Sequence, residues 1–375
     1  MGQRLTGVFP TRKQELLLRA ALLPGDKALS AWRDWQRQVN LDHIDLGSYR
    51  LLPLLYRNLE RLEVKDSLMD RYRGIYRQTW YKNQILFYHL APLLKTFKQK
   101  GIMTMILKGG ALILLYYKDH GLRPMDDFDV LVEPDQASAA IDLMTKLQWR
   151  PKRRPLGAMA NQYSAVMHDF GGFVNAVGCE VDLHQYLLSE CCYLHADDQF
   201  WAASVPLTLN NVLTSALSDT DQLFHVCVHG LKWHAFPSLR WVADAMTIIN
   251  APQVRIDWGR LLIMAQERDL VLPIKDGFFY MQEKLEAPIP AAVLDSLRRL
   301  PIAPAERKAY RARLEQRPGQ ALWLYYQRYS KLDSRSGPFR KFIGFIGFLQ
   351  YVWGIKWWWQ VPYYLLSKAV RRLIQ

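Results

Sequence analysis

Residues 107–132 read LKGGALILLYYKDHGLRPMDDFDVLV, and residues 179–184 read CEVDLH. The first stretch opens at the end of an apolar run, residues 102–107, of strand length. Lys108 follows, and Gly109-Gly110 opens a helix expected over residues 111–117. A loop over residues 118–126 contains Gly121 and Pro124. Residues 128–132 are apolar and β-branched, as a buried strand requires. Asp127 and Asp129 stand two apart at this strand. Side chains alternate along a strand, so both carboxylates project from one face while Phe128 and Val130 point to the other. Their Cα atoms then lie roughly 6.6 Å apart. A further strand ends in Asp182, with Glu180 on the same face as a second candidate.

Carboxylates grouped in this way suit hard divalent cations such as Mg²⁺. Three of them can hold two ions about 3.5–4 Å apart, which clamp the entering and leaving oxygens of a phosphoryl displacement. Such a reaction also needs a grip on phosphate. Glycines let backbone N–H groups approach an anion, and a helix N-terminus favours negative charge. Lys108 adds a point charge. Arg123, just before the aspartates, suits phosphate neutralisation or the orientation of a carboxylate. A glycine pair or an Asp-x-Asp alone is common. The order strand, glycine pair, helix, loop, Asp-x-Asp strand, helix, hairpin with a third aspartate is far more selective.

The string LKGGALILLYY, then GLRPMDDFDVLV, then EVDLH resembles the uncharacterised nucleotidyltransferase family of the DNA polymerase β-like superfamily. The resemblance spans roughly residues 40 to 275. It includes Leu52-Pro53-Leu54-Leu55-Tyr56 before the core, and a later segment with His225, His229, Arg240, Trp241 and Asp244. It implies that Asp127, Asp129 and Asp182 are the catalytic, metal-holding carboxylates and that Gly109-Gly110 is the glycine turn. Lys108, Gly109, Gly110 and Arg123 form the expected phosphate-binding set. It further implies an NTP substrate and Mg²⁺ or Mn²⁺, with two ions. The acceptor stays open among a small molecule, a glycan, a protein and RNA. The expected fold is α+β: a polymerase β-like core with a small mixed sheet, flanked by helical N- and C-terminal regions.

The rest of the chain fits around this core. Its 375 residues are half hydrophobic, which is a globular composition. The expected divisions are a helical region over residues 1–100, the catalytic core over 101–205, a helical domain over 206–335 and an aromatic-basic tail over 336–375. A net charge of +14 favours polyanionic partners without choosing among them. Four cysteines without a CxxC pair argue against a zinc ribbon or a disulfide framework, and so favour the cytoplasm. The first residues lack a signal-peptide run, although Gly2 and Thr6 fit the loose myristoylation pattern.

Several weaker patterns carry expectations of their own. Arg71, Tyr72, Arg73, Tyr76, Arg77 and Tyr81 read as a helix-packing stripe more than a phosphate pocket. Residues 163–169 and 173–184 read as a hairpin turning at Gly171-Gly172. His225 and His229 share a helical face at metal-binding spacing, but with His234 only a loose third ligand a packing role is favoured. Arg240 and Asp244 read as an intrahelical ion pair.

At the C-terminus, residues 342–355 carry no charge, and Trp357-Trp358-Trp359 follow Lys356. Tryptophan beside basic residues suits an anionic membrane surface, which would place the protein peripherally at the inner face of the membrane. Packing of this tail on its own protein is the equal alternative, and a true span is the third. Two other function classes stand beside the enzyme: a catalytically silent nucleotide-binding or scaffold protein, and a peripheral membrane adaptor.

Overall fold

Two short alternating segments, Phe128-Asp129-Val130-Leu131 and Val181-Asp182-Leu183-His184, occupy the centre of the molecule. The computed structural model describes residues 8–152, 163–231, 239–314, 318–330, 332 and 337–373. In it the two segments are neighbouring parallel strands, β2 (Phe128–Leu131) and β5 (Glu180–His184), with Asp129 opposite Asp182. The other strands are β1 (Met105–Leu107), β3 (Arg150–Pro151), β4 (Asp169–Val174), β6 (Val205–Leu209) and β7 (Val212–Ala216). Together they form one mixed sheet in the order β3-β4-β5-β2-β1-β7-β6. The fold is α+β, with this sheet set between helical flanks.

Alternation gives the sheet two different faces. Ile106, Phe128, Val130, Phe173, Val181 and Leu183 pack on Phe87, Leu90 and Phe97 of the Met69–Gln99 helix and on Ala140 and Met144 of the Ala137–Lys146 helix. Phe87 meets Phe128 edge-on, with centroids 4.8 Å apart. Full burial of a side chain such as Phe128 or Val130 contributes about 1.5–3 kcal/mol. The opposite face carries Asp129, Asp182 and His184. A larger core joins the N-terminal helices, among them Arg12–Leu22 and Leu52–Arg61, to the later helices Asp219–Gly230, Arg240–Asn250 and Val271–Leu285. Inside it, fully buried Asp221 takes a two-pronged contact from Arg260, with Nη2 3.0 Å from Oδ2.

Local chemistry explains where elements begin. Ser218 accepts from Asp221 N and starts the Asp219–Gly230 helix two residues earlier than the apolar pattern indicates. The hairpin does not turn at Gly171-Gly172. Those glycines lie inside β4 at a register shift, where Gly171 takes a φ of 76°. The turn is built instead by Asn175, whose side-chain oxygen accepts from Val177 N and Cys179 N, and by Gly178 at a φ of 84°. The tyrosine-arginine stripe is a packing and ion-pairing surface: Tyr72 is buried, Arg71 pairs with Asp42, and Tyr76 donates to Asp119. Among the described residues no helix is long and apolar enough to cross a membrane. Gly2, Thr6 and His234 lie outside the described residues.

Asp197 supplies a pH test of this packing. It lies just after β5, accepts from Leu187 N at 2.6 Å, and burial raises its pKa to about 7. A carboxyl raised in the folded state favours folding while it is protonated. That advantage is complete below the unfolded value of about 3.9 and is lost as pH rises through the folded value. Asp197→Asn keeps an oxygen for Leu187 N and cannot ionise. The expected result is a flatter profile of melting temperature against pH between about 4 and 7 than in the wild type.

Candidate active site

The parallel register of β2 and β5 sets Asp129 beside Asp182, and the antiparallel register of β1 and β2 sets Leu107 opposite Asp129. Lys108 follows Leu107 directly. Its φ is 45°, a left-handed value that costs energy for a residue with a Cβ, and its Nζ donates to Asp129 Oδ1 at 2.5 Å. On the other side, His184 Nε2 lies 2.8 Å from the same oxygen. Burial alone would raise the Asp129 pKa, but Lys108 and His184 overcome it and hold the carboxyl well below the usual range. Asp129 is therefore an acceptor, and His184 donates through Nε2–H. Burial lowers the His184 pKa to about 4, so the ring is neutral near pH 7.

Asp127 precedes the first residue of β2 and lines the same cleft as Asp129. Its pKa is raised by burial and by the Asp129 charge. Asp182 is raised to about 6, by burial first and then by Asp127 and Asp129. One ligand atom from each of Asp129, Asp182 and His184 falls within 4.8 Å of the others. Burial first, and neighbouring carboxylate charge second, disfavour the ionised forms of Asp127 and Asp182, and a divalent cation relieves both effects. The donor set fits such an ion. Glu180, the alternative third carboxylate, is paired with Lys152.

The glycine pair is required by packing. A Cβ on Gly109 would stand 2.4 Å from Arg123 Nη1 and Met125 Sδ. A Cβ on Gly110 would stand 2.3 Å from Phe128 Cε1 and 2.8 Å from Ile106 Cγ2. The helix starts at Lys108 itself and is short, Lys108–Leu112, continuing as a wider π turn over Ile113–Tyr117.

Arg123 meets a carboxylate. Its Nε and Nη2 each donate at 2.8 Å to Asp244, which also accepts from Tyr117 OH at 2.8 Å. The Arg240–Asp244 pair is therefore replaced by Arg123–Asp244, because the loop carrying Arg123 folds across the Arg240–Asn250 helix. Arg240 makes only a long contact, 3.4 Å, to Pro124 O. Burial and the neighbouring Arg123 and Arg50 lower its pKa to about 10. His225 and His229, with rings 5.7 Å apart, do not belong to either metal-capable group of three among the described residues. They line the cleft of about 230 Å³ that also contains Lys108, Asp127, Asp129, Arg240 and Trp241. Nothing local in the sequence marks Asp244 as the partner of Arg123, or Arg240 as a wall of the cleft.

The mixed sheet between its helical flanks sets this carboxylate group beside the start of the Lys108 helix. The chain belongs to the family described as uncharacterised nucleotidyltransferase, whose model matches residues 45–285. Among solved structures it is similar to an antigenic nucleotidyltransferase-like protein from Paracoccidioides brasiliensis, at 16% identity and a TM-score of 0.34, covering 56% of this chain and 95% of that one. No curated protein matches the chain.

Gly110→Ala tests the packing role of the glycine pair. The added methyl must displace Phe128 or Ile106 on two central strands, with an expected cost of about 1–3 kcal/mol. A fall in the urea midpoint of the protein without any ligand is the readout. An unchanged midpoint would mean that the pair is not held by packing.

Proposed function

We propose that the protein is a metal-dependent nucleotidyltransferase, moving a nucleoside monophosphate from an NTP to an acceptor hydroxyl or phosphate with release of pyrophosphate. The observation that carries this reading is the charge imbalance around one cleft. Asp127 and Asp182 are destabilised as anions beside Asp129, and Arg240 is destabilised as a cation beside Arg123 and Arg50. A divalent cation relieves the first and a triphosphate relieves the second. Family membership supports the same reading.

Asp127, Asp129 and Asp182 are the residues that would hold Mg²⁺ or Mn²⁺, in the two-ion arrangement expected of the class. Such ions supply charge neutralisation at the entering and leaving oxygens. The side chains of the protein do the rest. Lys108 releases Asp129 and turns its ammonium toward phosphate, beside the N–H groups of Gly109 and Gly110. Arg240 takes the place expected for Arg123 as the arginine facing the triphosphate, since Arg123 is committed to Asp244. Asp182 would complete the ion set on the acceptor side and help to deprotonate the acceptor hydroxyl. Positioning and electrostatics supply most of the rate.

Asp129→Asn removes the charge that Lys108 and His184 both contact. Pyrophosphate release from NTP and Mg²⁺ or Mn²⁺ is expected to fall by about 10³-fold or more, the scale of lost electrostatic stabilisation, with the circular dichroism unchanged. Full turnover in this variant would overturn the mechanism. NTP binding by the wild type without any pyrophosphate release would leave a nucleotide-binding scaffold instead.

A second reading concerns the tail. The Pro338–Trp353 helix buries Phe348 against Tyr163, Val166 and Tyr329, and Leu349 against Ile355 and Val361, so one face packs on the protein. Its other face leaves Phe339 75% and Phe342 61% exposed, and Trp357, Trp358 and Trp359 are all at least half exposed. Residues 337–375 contain six Lys or Arg and no Asp or Glu. Exposed aromatics in a purely basic segment complement an anionic lipid surface, where each nearby cation adds about 1 kcal/mol. Replacing Trp357, Trp358 and Trp359 together by Ala is expected to release the protein from phosphatidylserine vesicles in co-sedimentation and to leave its melting temperature unchanged. Equal sedimentation of variant and wild type would exclude these residues as an anchor.

A further inference from the structure

Beside the carboxylate group, on the β4 side of β5, stand two histidines and an aspartate that the proposed reaction does not use as a set. Asp169 is the register partner of His184 across the β4–β5 pair. His168 precedes Asp169, and its ring meets that of His184 edge-on at 4.7 Å. One ligand atom from each of His168, Asp169 and His184 lies within 4.8 Å of the others.

The hydrogen bonds of these side chains leave lone pairs where an ion needs them. His184 Nε2 lies 2.8 Å from Asp129 Oδ1, which leaves Nδ1 as the ring nitrogen turned to no hydrogen-bond partner among the described residues. His184 is 2% exposed. His168 Nε2 lies 3.2 Å from Leu187 O, and a carbonyl only accepts. Nδ1 of His168 lies 3.0 Å from Asp169 Oδ2, where a bound ion would take the place of the proton between them. Asp169 is held in place by Gly171 N, which donates to Oδ1 at 2.9 Å and leaves Oδ2 toward His168. A histidine that donates one ring N–H to a carboxylate or backbone carbonyl, and keeps the other nitrogen bare, is oriented as metal-binding histidines are. His184 has that arrangement, and His168 reaches it when an ion replaces the proton it shares with Asp169.

We propose that His168 Nδ1, Asp169 Oδ2 and His184 Nδ1 bind one divalent first-row transition ion, of the Mn²⁺, Fe²⁺, Co²⁺ or Zn²⁺ class. Two imidazole nitrogens and one carboxylate favour these ions over Mg²⁺, which prefers an all-oxygen set. The site shares His184 with the Asp129, Asp182 and His184 group but takes no ligand from the Asp127, Asp129 and Asp182 carboxylates, and it stands whether or not the chain transfers nucleotides. Its link to them is His184, which would hold the ion with one nitrogen and orient Asp129 with the other.

Co²⁺ is the probe, because its visible d–d bands shift and intensify when imidazole nitrogens replace water. The full chain is stripped of metal, supplied with excess Mg²⁺ to fill oxygen sites, and titrated with Co²⁺. The expected result is saturable absorbance in the wild type and in Asp182→Asn, with affinity reduced roughly tenfold or more in His168→Ala and in Asp169→Asn. Asp169→Asn is close to isosteric, so it serves if His168→Ala fails to fold. Bands lost in Asp182→Asn but kept in the folded His168 or Asp169 variant would place the ion on Asp129, Asp182 and His184 and overturn the proposal. Absence of bands in the wild type would overturn it as well.

Discussion

The parallel pairing of β2 with β5 is the constraint from which the site follows. With Asp129 opposite Asp182, every second side chain of both strands falls on the same side of the sheet. Phe128, Val130, Val181 and Leu183 go to a sealed apolar layer. Asp129, Asp182 and His184 go to the cleft side. A slip of one residue would drive carboxylates into that layer and Phe128 out of it. The hydrophobic pattern that folds the strands is therefore also what places the acidic groups, and the site needs no separate device to assemble it.

Charge balance explains the arrangement around that pair. A buried carboxylate is tolerated only when paired. Asp129 has Lys108 and His184 for this, and is the most acidic of the group. Asp244 has Arg123 and Tyr117. The second pair is structural in effect: it ties the loop ahead of β2 to the Arg240–Asn250 helix and so closes one wall of the cleft. Arg123 is thereby committed, and Arg240 is left, among the described residues, with a long contact to a carbonyl. Both arginines line the cleft, and Asp244 engages one of them.

What the sequence discloses depends on the range of the interaction. Period-two alternation at 128–131 and 180–184 is local and sets Glu180 and Asp182 on one face, but the choice of Asp182 rests on the family resemblance, and its place opposite Asp129 comes from the strand register. A glycine pair looks the same inside a bulged strand as in a turn, so Gly171-Gly172 misled while Asn175 and Gly178 made the turn. The left-handed backbone of Lys108 is invisible because lysine does not advertise that conformation. Asp244 lies 121 residues beyond Arg123, and only the packing of the helix against the loop joins them. Arg240 and Asp244, four apart on one helix, offered a local pairing that the tertiary contact outcompeted. His184 stood within the EVDLH string, yet its two distinct nitrogens acquire meaning only from neighbours on β2 and β4.

The strained backbone of Lys108 bears on how the cleft is filled. A lysine held at a φ of 45° directly after β1 has its ammonium within reach of Asp129, to which it donates. On the proposed reading, an ion bound there would replace Lys108 as the counter-charge and free it for phosphate. Binding of a bare triphosphate, by contrast, would bring more negative charge toward Asp127 and Asp182, whose ionised forms are already disfavoured. An isolated cation would satisfy the carboxylates but would not relieve Arg240. A metal–nucleotide complex answers both at once, since it carries positive charge to the acidic wall and negative charge to the basic one. On the proposed reading, the opposed walls of the cleft therefore select the complex over either component, and Lys108 is the side chain that changes partner when it arrives.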